Sequence, residues 1–129
     1  MAGAPNRWTV VVADDNPNFA TLTRLWFRRE PRFHLLASGT DGAQAVALAE
    51  EYRPDLVVLD DDMPVLTGME AIARVRAVSP NSKIILYSAS VNVDRVDLAS
   101  MLGADAVVSK LDPIASLIRT AIAVLQQSG

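Results

Sequence analysis

The stretch DLVVLDDDMP, residues 55–64, joins a continuous apolar segment to three consecutive aspartates. Its apolar part is rich in β-branched residues and contains no polar one, which predicts a strand buried on both faces, as in a parallel sheet covered by helices. Adjacent carboxylates repel one another, so Asp60, Asp61 and Asp62 offer no obvious gain to folding. We therefore expect a buried strand that delivers at least one carboxylate with a chemical role.

Four further segments have the same strand-like character: residues 8–13, 33–38, 83–87 and 106–109. Stretches with helical spacing of apolar residues lie between them and after the last one. Each connection is long enough to hold a helix. The alternation predicts a (βα)5 chain, which folds as a parallel five-stranded sheet between two layers of helices, a three-layer α/β sandwich.

The first and last helices have the clearest apolar stripes. In the first, the core-facing stripe is expected at Phe19, Leu22, Leu25 and Trp26. In the last, it is expected at Ile114, Leu117, Ile118, Ala121, Ile122 and Leu125. Asp112 and Pro113 suit the N-cap and first turn of the last helix, and Gly103 suits the end of the helix before it.

Length and composition limit the number of domains and the classes of function that the chain can have. The 129 residues predict one domain over 1–129, with a core at about 8–125 and flexible ends at 1–7 and 126–129. The net charge of −3 argues against direct nucleic-acid binding. The absence of cysteine excludes disulfides and thiol chemistry. The sequence shows neither a secretory signal nor a membrane span, so a cytoplasmic location without membrane attachment is expected.

Polar residues follow four of the five predicted strands at their carboxyl ends: Asp14 and Asp15, Asp60, Ser88, and Lys110. In open parallel sheets, ligands bind outside the carboxyl ends of the strands, where the strand order reverses. These side chains are therefore expected to converge on one edge of the sheet and form a site there.

The residue types at this edge indicate phosphoryl transfer. Three carboxylates in a small space need a cation, and oxygen ligands without histidine or cysteine favour Mg²⁺, with Mn²⁺ as an alternative. A lysine and a hydroxyl beside a metal-bound carboxylate suit stabilisation of a transferring phosphoryl group. A carboxylate can also act as the nucleophile and form an aspartyl phosphate.

The segments VVADDN, PDLVVLDDDMPVLTGME, IILYSAS and GADAVVSK resemble, in order and spacing, the response-regulator receiver domain of two-component signalling. The resemblance implies a flavodoxin-like fold with strand order 2-1-3-4-5. It also implies Asp60 as phosphoacceptor, because Asp60 lies three residues before Met63 and eight before Gly68. By the same resemblance, Ser88 is the switch hydroxyl and Lys110 contacts the phosphoryl group.

The family pattern also implies a metal site at Asp14, Asp15 and Asp60, completed by the backbone carbonyl of Asp62, whose side chain would lie at the pocket mouth. Asp61 has no role in that pattern and is expected to be a bystander. Two residues depart from the family: Val107 replaces the usual switching aromatic residue, and Leu111 follows the lysine where proline is common, so a trans peptide is expected there.

The function implied is a phosphorylation-activated receiver, and not an enzyme that turns over other substrates. A sensor histidine kinase or a phosphotransfer protein would phosphorylate Asp60 with Mg²⁺, and slow autodephosphorylation would reset it. The chain is expected to be either a stand-alone receiver or a piece of a longer transcription regulator. SKLDPIASLIRTAIAVL resembles receivers that precede LuxR-type DNA-binding domains, which favours the second of these. A phosphorylation-dependent homodimer is a further expected partner.

Two alternatives remain. A pseudo-receiver would keep the fold and bind partners without phosphorylation, and Val107 leaves that open. A haloacid-dehalogenase-like phosphatase shares a strand followed by Asp-x-Asp, but Pro64 stands where that motif prefers threonine, and the acidic pair precedes the motif in the chain.

Overall fold

The computed structural model describes residues 7–127. Its elements alternate as predicted, and their bounds are β1 Trp8–Ala13, α1 Pro17–Arg29, β2 Phe33–Gly39, α2 Gly42–Tyr52, β3 Leu56–Asp60, α3 Gly68–Val78, β4 Lys83–Ser88, α4 Val93–Leu102, β5 Ala106–Ser109 and α5 Ile114–Gln126. The predicted flexible ends lie mostly outside the described residues.

The five strands form one parallel sheet in the order β2-β1-β3-β4-β5. This confirms the predicted flavodoxin-like (βα)5 sandwich with strand order 2-1-3-4-5. The chain first builds outward to β2 and then returns past β1 to β3, so the strand order reverses between β1 and β3. That reversal opens a crevice at the carboxyl edge of the sheet.

Alternate residues of the strands feed two separate cores. On one face, Val10 and Val12 of β1 pack with Phe27 of α1 and Leu117 of α5. On the other face, the strands pack against α2, α3 and α4. All five residues of β3 are buried, as expected for the central strand of a sheet covered on both faces.

Helix α1 is buried through a different stripe from the predicted one. Its buried residues are Ala20, Thr23 and Phe27, whereas Leu22, Leu25 and Trp26 are exposed. Phe27 occupies the core position instead, because its ring packs edge-on against that of Phe33 in β2, with the ring centroids 5.0 Å apart. Only Phe19 of the predicted stripe contacts the core, so the prediction was wrong for the other three residues.

Helix α5 confirms its predicted stripe, because Leu117, Ile118, Ala121 and Leu125 are buried. Its predicted cap was wrong: the residue before the helix is Pro113, and no side chain caps the first turn. Gly103 ends α4 as predicted, with a left-handed φ of 121° that favours glycine.

A tight turn after β3 is formed at Val65, whose φ is 69°. The amide of Leu66 donates to the carbonyl of Pro64 at 2.7 Å, which closes a γ-turn of the rare positive-φ kind. This conformation is unfavourable for a β-branched residue. Because Val65 is 78% exposed, its side chain contributes little packing in exchange.

We expect Val65→Gly to stabilise the protein by about 1 kcal/mol. The substitution removes the strain of the left-handed backbone, and this gain exceeds the entropic cost of glycine. Urea unfolding measures the effect. Val93 is a suitable control, because it is 74% exposed but lies in the first turn of α4, where Val93→Gly should lower stability. A loss of stability in Val65→Gly would contradict the strain.

Within residues 7–127, no helix has the length and apolar character needed to cross a membrane.

Candidate functional site

The carboxyl edge of the sheet brings the predicted residues together. Asp60 ends β3 and Ser88 ends β4, while Asp14 and Lys110 directly follow β1 and β5. The strands β3 and β4 pair in register up to Asp60 and Tyr87, which places Ser88 one residue beyond the end of this pairing. The expected convergence is therefore observed.

Lys110 links two of the carboxylates. Its Nζ donates to Asp60 Oδ1 at 2.8 Å and to Asp14 Oδ2 at 3.0 Å. The side chains of Lys110, Asp60 and Asp14 are only 7%, 6% and 3% exposed, so these ion pairs are shielded from solvent. At this depth each charge depends on its partners, because burying an uncompensated ion is costly.

Two aromatic rings flank the ammonium group. Nζ of Lys110 lies 4.4 Å from the ring centroid of Phe19 and 5.6 Å from that of Tyr87. The two rings meet edge to face with centroids 6.2 Å apart. Such faces attract a cation and restrict its movement. Phe19 and Tyr87 thus position Lys110, a role that sequence patterns did not reveal, because both looked like ordinary core residues.

The electrostatics of the cluster depend on burial and on charge. Burial raises the pKa of Asp60, and the Asp14 carboxylate adds to the rise, against a lowering by the hydrogen bond from Lys110. Burial alone would lower the pKa of Lys110, but its hydrogen bonds to Asp60 and Asp14 raise it. The pKa of Asp15 is also raised, by desolvation first and then by Asp60. The site therefore holds more negative charge than one lysine neutralises.

Three carboxylates offer ligands for a cation. Oxygen atoms of Asp14, Asp15 and Asp60 all lie within 4.8 Å of one another. Asp15 is exposed, while the other two are buried. An all-oxygen set at an open crevice fits Mg²⁺, which binds a few carboxylates and keeps several water ligands. The donors present thus fit the predicted ion.

The crevice is open and large enough for a phosphoryl group and its donor. Its volume is about 830 Å³, and Asp15, Asp60, Asp62, Ser88 and Lys110 contribute to its wall. Asp62 is exposed, which agrees with a side chain at the pocket mouth. The proposed contribution of its carbonyl oxygen to the metal remains a prediction.

Asp61 is not a bystander, and that prediction was wrong. Its Oδ2 accepts a hydrogen bond from Ser88 Oγ at 2.9 Å and also pairs with the guanidinium of Arg95 in α4. Asp61 itself stood out in the sequence as the middle one of three consecutive aspartates, without a role in the family pattern. Arg95 gave no such signal, because its link to Asp61 depends on how α4 packs beside the crevice.

The start of α3 supports the backbone of Asp60 directly. A capping box between Thr67 and Glu70 fixes the first turn of the helix. Gly68 donates its amide to the carbonyl of Asp61 at 3.0 Å. A Cβ on Gly68 would lie only 2.4 Å from the carbonyl oxygen of Asp60, so only glycine fits this close approach.

The loop after β5 keeps Lys110 in place without proline. The described residues contain no cis peptide, so the bond between Lys110 and Leu111 is trans, as predicted. The amide of Lys110 donates to the carbonyl of Ser88 at 2.8 Å, which ties the lysine to the end of β4.

Comparisons with known proteins agree with this geometry. A family model, the response regulator receiver domain, matches residues 10–121. The nitrate/nitrite response regulator protein NarL of Escherichia coli is 31% identical over 97 residues, covering 75% of this chain and 45% of NarL. The transcriptional regulatory protein PrrA of Mycobacterium bovis is 34% identical over 127 residues, covering 98% of this chain and 53% of PrrA. The chain spans about half the length of these curated relatives.

Solved structures give the same result. A DNA-binding response regulator of the LuxR family from Staphylococcus aureus has a TM-score of 0.85 and 29% identity, over 92% of this chain and 98% of that one. The response regulator domain of Thermotoga maritima CheB, with a TM-score of 0.86 and 21% identity over 93% of this chain and 97% of that one, supports the fold alone. The protein is thus a member of the response regulator receiver domain family of two-component signalling.

Proposed function

We propose that this chain is a phosphorylation-controlled switch in which Asp60 is the phosphoacceptor. The observation that carries this proposal is the bridge from Lys110 Nζ to Asp60 and Asp14 within a cluster of three carboxylates at the crevice. A purely structural ion pair would not need the third carboxylate, Asp15, which is exposed and whose charge is repelled by that of Asp60 unless a cation binds between them.

The chemistry assigns one task to each residue. A carboxylate oxygen of Asp60 attacks the phosphorus of the donor, the new oxygen–phosphorus bond forms, and the donor's bond to its histidine nitrogen or acyl oxygen breaks with that atom keeping the electron pair. Lys110, which pairs with Asp60 before transfer, then pairs with the transferred group, and Ser88 donates a hydrogen bond to that group. Water later attacks the same phosphorus, which releases inorganic phosphate and restores the Asp60 carboxylate.

Mg²⁺, held by Asp14, Asp15, Asp60 and the backbone carbonyl of Asp62, would neutralise charge on the phosphoryl oxygens; Mn²⁺ could replace it. The remaining positive charge comes from Lys110. Without a cation, an anionic donor would approach a site that already carries excess negative charge.

The partners follow from the same proposal. The donor is a sensor histidine kinase or a phosphotransfer protein, and the location is the cytoplasm. The relatives' names include transcriptional regulators, and the chain spans about half of their length. We therefore propose that the output passes to a DNA-binding effector domain or through a phosphorylation-dependent homodimer, and not through nucleic-acid binding by this domain.

Family membership favours a receiver over the haloacid-dehalogenase-like phosphatase. The pseudo-receiver alternative makes an opposite prediction, since it requires no phosphorylation. A single experiment therefore separates it from the proposed switch.

Intact-protein mass spectrometry after incubation with acetyl phosphate is expected to show one added phosphoryl group that requires Mg²⁺. Asp60→Asn should abolish the adduct, because an amide is not a competent nucleophile. The control is Asp97→Asn, which removes an exposed aspartate of α4 and should keep the adduct. If acetyl phosphate leaves no adduct and beryllofluoride with Mg²⁺ does not bind, the phosphorylation switch is contradicted and the pseudo-receiver becomes the better explanation.

A further inference from the structure

The hydroxyl of Ser88 is already engaged. Ser88 Oγ donates to Asp61 Oδ2 at 2.9 Å and accepts a hydrogen bond from the amide of Ser90 at 3.0 Å. A serine hydroxyl carries one hydrogen, so it cannot donate to Asp61 and to a phosphoryl group at the same time. The carbonyl of Ser90 lies farther from Oγ, at 3.3 Å, and carries no charge, so the carboxylate is the stronger acceptor.

The carboxylate that holds Ser88 is itself held by α4. Asp61 is 11% exposed, and its Oδ2 pairs with the guanidinium of Arg95. Arg95 belongs to the first turn of α4, where its amide donates to the capping side chain of Asn92 at 2.9 Å. One oxygen atom of Asp61 thus connects the end of β4 to the start of α4.

The ion pair between Asp61 and Arg95 does not use every donor of the guanidinium. The Nε of Arg95 is buried and has no hydrogen-bond partner among the described residues. Asp61 follows the acceptor directly in the chain and lines the same crevice as Asp60. Asp60, Ser88 and Arg95 line the same crevice, so an anion bound at Asp60 competes with Asp61 for the Ser88 hydroxyl.

We propose that Asp61 is a positioning residue that, together with Arg95, forms a latch holding Ser88 away from the acceptor until Asp60 is phosphorylated. The phosphoryl group accepts the hydroxyl hydrogen of Ser88 in place of Asp61, and the end of β4 is then no longer connected through Asp61 and Arg95 to the first turn of α4. The effect on phosphorylation rests on the proposed function, but the latch itself exists in the unphosphorylated protein. It lowers the fraction of molecules with a free Ser88 and so weakens phosphoryl binding.

A double-mutant cycle tests the latch. Beryllofluoride, with Mg²⁺, serves as the phosphoryl probe, and its affinity is measured in the wild type, Asp61→Ala, Ser88→Ala and the double variant. We expect Asp61→Ala to tighten binding about tenfold more when Ser88 is present than in the Ser88→Ala background, because the net value of a hydrogen bond to a charged group is of that size. Loss of a nearby negative charge alone would tighten binding equally in both backgrounds, and equal gains would overturn the latch.

A ligand-free measurement separates the latch from the proposed function. In the wild type, NMR scalar couplings should show one Ser88 side-chain rotamer, and in Asp61→Ala they should show rotamer averaging. Faster exchange of the Val96 amide, which closes the first turn of α4 with Asn92, should accompany it. If beryllofluoride binds no variant, the proposed function fails; if the Ser88 rotamer is unchanged in Asp61→Ala, the latch fails.

Arg95→Gln provides a second variant in case Asp61→Ala does not fold. Glutamine keeps the length and polarity of the side chain but removes the charged partner of Asp61. We expect the same rotamer averaging at Ser88 to a smaller extent, because Asp61 then loses its anchor and not its carboxylate. A single Ser88 rotamer in both variants would overturn the latch.

Discussion

Replacing Lys110 with methionine is expected to destabilise the metal-free protein by about 3 kcal/mol at pH 8. Methionine keeps most of the volume between the rings of Phe19 and Tyr87, so the cost comes from charge and not from a cavity. The loss leaves the buried carboxylates of Asp60 and Asp14 without their shared cation. Urea unfolding in the presence of a chelator measures this cost.

The cost should depend on pH in a defined direction. The folded-state pKa of Asp60 is raised above its unfolded value, so the folded protein binds this proton more tightly and stability falls as pH rises from about 4 through the raised pKa. Without Lys110 that pKa rises further, which extends the falling range to higher pH. The difference between variant and wild type should therefore shrink toward pH 5 and grow toward pH 8.

Mg²⁺ and a matched lysine serve as controls. Mg²⁺ should stabilise Lys110→Met more than the wild type, because it replaces the missing positive charge. Lys83→Met removes a lysine whose ion pair with Asp105 is long, at 4.0 Å, and partly exposed, so it should cost less than 1 kcal/mol. Equal costs for the two variants would contradict a central electrostatic role for Lys110.

Gly68→Ala is expected to cost about 3 kcal/mol and to slow phosphorylation of Asp60 about 100-fold. Its Cβ would lie 2.4 Å from the carbonyl oxygen of Asp60 and 2.7 Å from the Cα of Asp61. Both are backbone atoms, so relief requires α3 to move away or the end of β3 to shift. Urea unfolding and the initial rate of labelling by acetyl phosphate measure the two effects.

Gly39→Ala separates this effect from a general intolerance of larger residues. A Cβ on Gly39 at the end of β2 meets only side-chain atoms, the nearest being Gln44 Cβ at 3.0 Å. We expect a smaller loss of stability and a labelling rate close to that of the wild type. Labelling of Gly68→Ala at the wild-type rate would show that α3 does not set the position of Asp60.

The fold and the location of the candidate site were predictable for a common reason. Continuous apolar strands with helical crossovers require a parallel sheet, and a parallel sheet places the carboxyl ends of all its strands on one edge. The polar residues at the carboxyl ends of β1, β3, β4 and β5 were therefore expected to lie together, and the structure brings Lys110 to Asp60 and Asp14.

The errors concern residues whose environment depends on neighbouring elements. Phe27 and Trp26 are adjacent in α1, and periodicity could not decide which faces the core, because that depends on the ring of Phe33 in β2. Asp112 could not be excluded as a cap, because a cap depends on the path of the chain entering α5. A local sequence pattern shows which residues are suited to face the core or to cap a helix. The packing of neighbouring elements determines which of them does so.

The sequence by itself determined the order of the elements, the edge where the site lies and the acidic, hydroxyl and ammonium groups that form it. Only the tertiary structure decided which partner each group has. The bonds that join Ser88 to Asp61, Arg95 to Asp61 and Lys110 to Asp14 span 27, 34 and 96 residues. Such contacts depend on how packed elements are placed relative to one another. A shift of a few tenths of an ångström already weakens a hydrogen bond, so spacing along the chain cannot specify these contacts.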